Sequence, residues 1–125
     1  LYAFGYFDTV RGLDRKNFFQ LDLNTDTVTN WDPKFFNANS ESQGIALPIK
    51  DDIIFLGGGF GALDVRLRDK IAEFDLATGY PTDWNPMATG GSAISVMTKE
   101  ENTLYFAGDF TGLEGTNQSG NAAYD

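Results

Sequence analysis

The chain has 125 residues, 42% hydrophobic and 14% aromatic, which is enough apolar material for a packed core and too much for a disordered segment. It carries 18 acidic against 9 basic residues, a formal charge of −9, and such a surface repels phosphate backbones and argues against nucleic acid as a partner. Cysteine and histidine are both absent, which excludes disulfides, thiolate nucleophiles, Cys/His zinc sites and the histidine general base.

In chain order, Leu1 to Gly5 reads as a first strand and Asn17 to Leu23 as a second. The turn residues Asn24-Thr25-Asp26 then lead into a third, Thr27 to Trp31. A fourth, Gly44 to Ile49, ends at the polar turn Lys50-Asp51-Asp52. The same order starts again with Ile53 to Gly57, Lys70 to Leu76, Tyr80 to Trp84 and Ala93 to Thr98, with turns at Ala77-Thr78-Gly79 and Lys99 to Asn102. Thr103 to Ala107 and the residues from Asn121 onwards begin it a third time. No window keeps a helical period, so little or no helix is expected. No stretch approaches the roughly 20 apolar residues of a membrane span. The start at Leu1, without Met or a signal-like run, suggests a fragment or a processed product.

The recurrence is also visible residue by residue. Leu1-Tyr2-Ala3-Phe4-Gly5-Tyr6-Phe7 aligns with Ile54 to Phe60 at an offset of 53, and those with Leu104 to Phe110 at an offset of 50. Phe19 to Leu23 aligns with Ala72 to Leu76, and Trp31-Asp32-Pro33 with Trp84-Asn85-Pro86, in the same register. Four short strands in a period near fifty residues mark a β-propeller blade, because one twisted sheet cannot cover both its faces and stacking blades does so. The expected fold is therefore all-β, about two and a half four-stranded antiparallel blades of a longer propeller. Its repeats fall at residues 1–52, 53–102 and, as a first half, 103–125. Trp31 and Trp84 are expected to lock each blade to its neighbour.

At these residues the chain resembles the delta-60 repeat propellers of bacterial surface and secreted proteins. The resemblance rests on Gly5, Phe7-Asp8-Thr9-Val10, Gly12, Arg15, Thr25, Trp31 and Pro33. The second copy adds Gly58-Gly59-Phe60, Arg68, Asp75, Thr78-Gly79, Trp84 and Pro86, and the third adds Gly108-Asp109-Phe110-Thr111 and Gly115. Gln118, Val65 and Asp26 depart from the family pattern. The resemblance implies an extracellular or cell-surface bacterial protein and supplies no catalytic residue.

Several residues invite a chemical reading. Gly57 to Ala62 fits the dinucleotide pattern G-x-G-x-x-A, but that pattern needs a helix next, and none is expected after Ala62. Asp75, Thr78, Gly79 and Trp84 are similar to the tryptophan-docking motif of quinoprotein propellers, with one residue too many between Asp75 and Trp84 for the register to hold. Asp8, Asp51, Asp52, Glu100, Glu101 and Asp109 read as solvated turn carboxylates, and calcium at a blade edge is the alternative to having no cofactor. Arg15 and Arg68 stand at equivalent positions and are read as packing residues reaching a carboxylate or a loop carbonyl between blades. Asn117-Gln118-Ser119 is a glycosylation sequon by pattern alone.

Every recurring position has a turning or packing role. The functional expectation is thus a non-enzymatic propeller scaffold, at the cell surface or secreted, binding a protein or glycan partner or the remaining blades of its parent. The alternative is a propeller enzyme (a lyase, a hydrolase or a quinoprotein-like protein) working at the mouth of the central channel. The stretch after Trp31 is four residues longer than its counterpart after Trp84, so Phe35, Phe36, Asn37 and Asn39 are the expected partner-facing loop.

Overall fold

The structure, a computed structural model, describes residues 1–36, 45–49, 52–63 and 66–125. Among them there is no helix. The strands are β1 (Tyr2–Phe4), β2 (Thr9–Val10), β3 (Leu13–Asp14), β4 (Phe18–Asp22), β5 (Thr27–Val28), β6 (Phe35–Phe36), β7 (Ile45–Ile49) and β8 (Ile53–Gly57). They continue with β9 (Ala62–Leu63), β10 (Arg66–Leu67), β11 (Ile71–Asp75), β12 (Tyr80–Pro81), β13 (Ile94–Glu100), β14 (Thr103–Gly108) and β15 (Asn121–Tyr124). The protein is all-β, and among the described residues every strand pair is antiparallel.

Three sheets carry the fold. The first has the order β1-β4-β5, the second β12-β11-β8-β7 and the third β13-β14-β15. Two small ladders, β2-β3 and β10-β9-β6, are formed from the connections. In the second sheet Ile49 lies opposite Ile53, so the sheet begins at β7 and runs across residues 52 and 53. The hairpins from β4 to β5 and from β11 to β12 turn for one local reason. Asp22 Oδ1 accepts from the amides of Asn24 (2.8 Å) and Thr25 (3.4 Å), and Asp75 Oδ1 from those of Ala77 (2.8 Å) and Thr78 (3.3 Å). Each turn then needs one left-handed residue, Gly79 at φ 78° and Asp26 at φ 53°. Aspartate is among the few non-glycine residues that visit this region, which is why Asp26 stands in for glycine.

Strand alternation decides which side chains meet. Ile54 and Leu56 of β8 with Ala72 and Phe74 of β11 form one apolar cluster with Phe18 and Phe60, against which Tyr2, Phe4 and Trp31 pack. This cluster joins the first sheet to the second. Phe55 and Ile71, on the opposite face of the second sheet, join Leu104, Phe106, Phe110, Ala122 and Ile94, with Trp84 and Tyr124 packed beside them. The second sheet is thus covered on both faces.

A backbone motif recurs in all three sheets. The amides of Gly5, Gly58 and Gly108 donate to the carbonyls of Asn17 (3.0 Å), Lys70 (2.8 Å) and Gly120 (3.0 Å). The amides of those three partners donate in turn to the carbonyls of Phe7, Phe60 and Phe110. Asn17, Lys70 and Gly120 all have positive φ, at 64°, 68° and 85°. The tuck brings the phenylalanine of each Gly-x-Phe run back over its sheet.

Candidate docking face

The recurring polar residues form a fixed network. Trp31 Nε1 donates to the carbonyl of Gly79 at 3.0 Å, tying the end of the first sheet to the β11–β12 turn of the second. Its ring stands edge-on to Tyr2 (6.0 Å), Phe18 (5.0 Å) and Phe74 (5.6 Å). Fifty-three residues on, Trp84 stands edge-on to Phe55 (5.2 Å) and Tyr124 (5.3 Å). Tyr2 aligns with Phe55 and Phe74 with Tyr124, so the two tryptophans occupy matching surroundings. Thr29 Oγ1 donates to Gln20 Oε1 (2.8 Å), and Thr82 Oγ1 to Glu73 Oε1 (2.7 Å).

Arg15 and Arg68 also match. Arg15 donates to the carbonyls of Asp14 (2.7 Å) and Thr29 (2.8 Å), and Arg68 to those of Leu67 (2.8 Å) and Thr82 (2.7 Å). The hydrogen-bond acceptors are loop carbonyls at the exit of the same sheet, and Arg15 Nη1 also lies 3.9 Å from the Asp32 carboxylate, so each arginine braces its own sheet instead of reaching the next one. The Nε of each is buried and makes no hydrogen bond. Burial holds the Arg68 guanidinium below its ordinary pKa. Arg68→Ala is expected to lower stability by about 2–3 kcal/mol, because a charge-assisted bond is lost and the Thr82 carbonyl loses a donor. Arg68→Lys should recover less than half of that, since an ammonium lacks the planar fork that reaches two carbonyls. Urea unfolding of the two variants checks the order.

One contact of Tyr124 gives a readout at high pH. Its hydroxyl donates to Glu114 Oε1 at 2.7 Å. That hydrogen bond, with burial and the carboxylate charge, holds the phenol above its ordinary pKa, while a hydrogen bond from Trp84 opposes the shift. The protonated phenol is the form favoured by folding, so its contribution is complete below the usual phenol value of about 10 and is lost as pH rises through the raised one. Glu114→Ala, which removes both the hydrogen bond and the charge, is expected to lower this titration toward the ordinary range, read as tyrosinate absorbance.

The other singled-out residues fall as follows. Ala62–Leu63 is strand β9, so the glycine-rich run before it leads into a ladder and not into a helix N-terminus. Asp109 Oδ2 accepts from the Ser92 amide (3.1 Å) and hydroxyl (2.9 Å). Asp8, Asp52, Glu100 and Glu101 are exposed, and Asp51 lies outside the described residues. Among the described residues no group of three carboxylate, histidine or cysteine side chains is placed to hold a metal ion. Asn117 to Ser119 is exposed. Phe35 and Phe36 form β6, with Phe35 opposite Leu63 and Phe36 opposite Ala62; Asn37 and Asn39 lie outside the described residues. A bridge between Thr89 and Gly112 repeats this link between β6 and β9 at the aligned positions.

Among the described residues, the outward face of the third sheet is uncovered. Val96, Thr98, Tyr105, Ala107, Asn121 and Ala123 line a shallow depression of about 370 Å³ there. Val96 is 60% and Tyr105 41% exposed, whereas Phe55, aligned with Tyr105 one sheet earlier, is 7% exposed. Alternation puts these residues opposite the buried Leu104 and Phe106, and none of the six lining residues named carries a charge. Sequence reasoning missed this face, although the alignment of Tyr105 with Phe55 was available as a signal.

Comparison with protein-family models, curated proteins and solved structures gives no match for this chain.

Proposed function

We propose that this chain is a section of a β-propeller of the delta-60 repeat type, acting as a non-enzymatic scaffold at the bacterial cell surface or in secreted form. The observation that carries the reading is the matching environment of Trp31 and Trp84, each set between successive sheets at aligned positions. The recurring polar side chains support the non-enzymatic part. Asp22 and Asp75 hold turns, Arg15 and Arg68 brace loops, and Gln20 and Glu73 hold threonines.

The outward face of the third sheet is a protein-docking face, taken by the remaining blades of the parent or by a partner protein. A face of neutral side chains around an exposed tyrosine, edged by Glu100 and Asp125, suits protein contact, where aromatic anchors dominate the binding energy. Nile red, a neutral dye that brightens on apolar surfaces, tests the site at low protein concentration. The folded chain should enhance its emission, and Tyr105→Lys should abolish most of the enhancement while the near-ultraviolet tryptophan signal stays unchanged. Equal enhancement by both proteins would place the apolar surface elsewhere and end this reading of the face.

A further inference from the structure

We infer that the groove between the β9–β10 hairpin and the connection after Trp84 receives an apolar side chain from an extended segment of a partner protein. This goes beyond the docking face on the third sheet and does not depend on it. Gly61, Leu67, Asp69, Asn85, Met87 and Thr89 line the groove, which encloses about 340 Å³. Leu67 is 80% and Met87 54% exposed. Both walls are held in place: β9 pairs with β6 on the far side of the hairpin, and Thr89 bridges to Gly112. The groove therefore lies between neighbouring segments of the described chain.

The aligned place in the first repeat is built differently. Asp14, Asp32 and Lys34 stand where the second repeat has Leu67, Asn85 and Met87. Lys34 Nζ lies 2.5 Å from the Asp32 carboxylate and Arg15 Nη1 3.9 Å from it, so the charged groups there satisfy one another. The backbone of the two turns is the same. Asn85 Oδ1 accepts from the Met87 amide (3.1 Å), as Asp32 Oδ1 does from that of Lys34 (3.3 Å), and Lys34 and Met87 share a positive φ, 44° and 51°. The second repeat thus keeps the turn and exchanges an ion pair for exposed leucine and methionine. Apolar side chains left in water gain nothing from folding, so packing within the chain does not account for the exchange.

The polar atoms select the occupant. Asp69 Oδ1 accepts from Lys70 Nζ (2.8 Å) and Asn85 Oδ1 from the Met87 amide, whereas Asp69 Oδ2 and Asn85 Nδ2 make no hydrogen bond among the described residues. One acceptor and one donor are left beside an apolar wall. A peptide unit brings the matching N–H and C=O, and its side chain fills the space between Leu67 and Met87. The thioether of a methionine adapts to apolar groups of varied shape. None of the lining side chains is aromatic, so the groove lacks a flat platform for a sugar ring. At −9 the chain repels acidic segments, which makes the occupant neutral or basic.

Amide proton–nitrogen correlation NMR of the whole chain tests this, with N-acetyl-leucinamide as the probe. Saturable shifts are expected at the amides of Leu67, Asp69, Met87 and Thr89, with a Kd on the order of millimolar for so small a ligand. N-acetyl-glycinamide, which lacks the side chain, should bind about tenfold more weakly. Leu67→Asp combined with Met87→Lys, the pair that the first repeat already carries, should remove the shifts. Asn85→Asp keeps the acceptor for the Met87 amide and loses the donor, so it should weaken binding about fivefold. If the double variant loses its dispersed spectrum, Leu67→Asp alone, at an exposed position, takes its place. No saturable shift, equal binding of the glycine probe, or an undiminished response of the variants overturns the inference. So does methyl glucoside shifting these amides in place of the peptide probe. Shifts confined to Val96, Tyr105 and Ala123 would also overturn it, while leaving the docking face on the third sheet standing.

Discussion

Replacing Trp31 by alanine is expected to cost about 3 kcal/mol of stability, the lower end of the range for a large aromatic side chain because the indole is only partly buried. Two losses combine. The ring leaves three edge-on partners, two in its own sheet and Phe74 in the next. The Gly79 carbonyl also loses its indole donor at 3.0 Å, and with it the bond between the first sheet and the β11–β12 turn. Trp31→Phe keeps an edge-on ring and removes the N–H with part of the indole. Its cost should fall to about 1–2 kcal/mol, one neutral hydrogen bond plus the volume of the lost ring atoms. Both values come from urea unfolding at constant m, so that the change is one of stability and not of the unfolded state.

Phe110→Ala is expected to cost about 3–5 kcal/mol, and the same change at Phe7 clearly less, about 1–2 kcal/mol. The two side chains hold one position in the first and third sheets: each follows a Gly-x pair and each carbonyl accepts from the positive-φ residue that ends the loop. They differ in what lies above them. Phe110 is 1% exposed, lies tilted against Phe106 at 5.8 Å and sits in the cluster shared with the second sheet. Phe7 touches Phe19 on a face open to solvent. A large-to-small change costs transfer energy plus the cavity left behind, and an open face leaves no cavity. Equal costs for Phe7 and Phe110 would mean that the backward face of the first sheet is already covered.

Much of the architecture was legible in the sequence, and the reasons are particular. The strand expected at Ile53 to Gly57 is the strand observed, since an apolar run ended by glycine and preceded by Asp51-Asp52 has little else to become. The turn after Asp22 was legible because the aspartate that makes it has its own side-chain chemistry. The two-residue strands of the ladders β2-β3 and β10-β9-β6 were not, because two residues show no alternation. Nor was the pairing of β7 with β8, since a period fixes the length of a unit and not which strand begins a sheet.

The site was less legible than the scaffold. The sequence points to Trp31 as a lock, but its acceptor is the main-chain carbonyl of Gly79, and a carbonyl leaves no trace in residue type. The equivalence of Arg15 and Arg68 is plain in the sequence, while their hydrogen-bond acceptors, the Thr29 and Thr82 carbonyls among them, leave no trace there. The open face around Tyr105 depends on what fails to cover it, which no local pattern encodes.

A single NOESY spectrum tests the central claim, that successive sheets stack through aromatic side chains at aligned positions. The stacking predicts cross-peaks from the Trp31 indole protons to the Phe74 ring and from the Trp84 indole protons to the Tyr124 ring, at centroid distances of 5.6 Å and 5.3 Å. Indole protons of Trp31 that see only Tyr2 and Phe18, both in its own sheet, would contradict it.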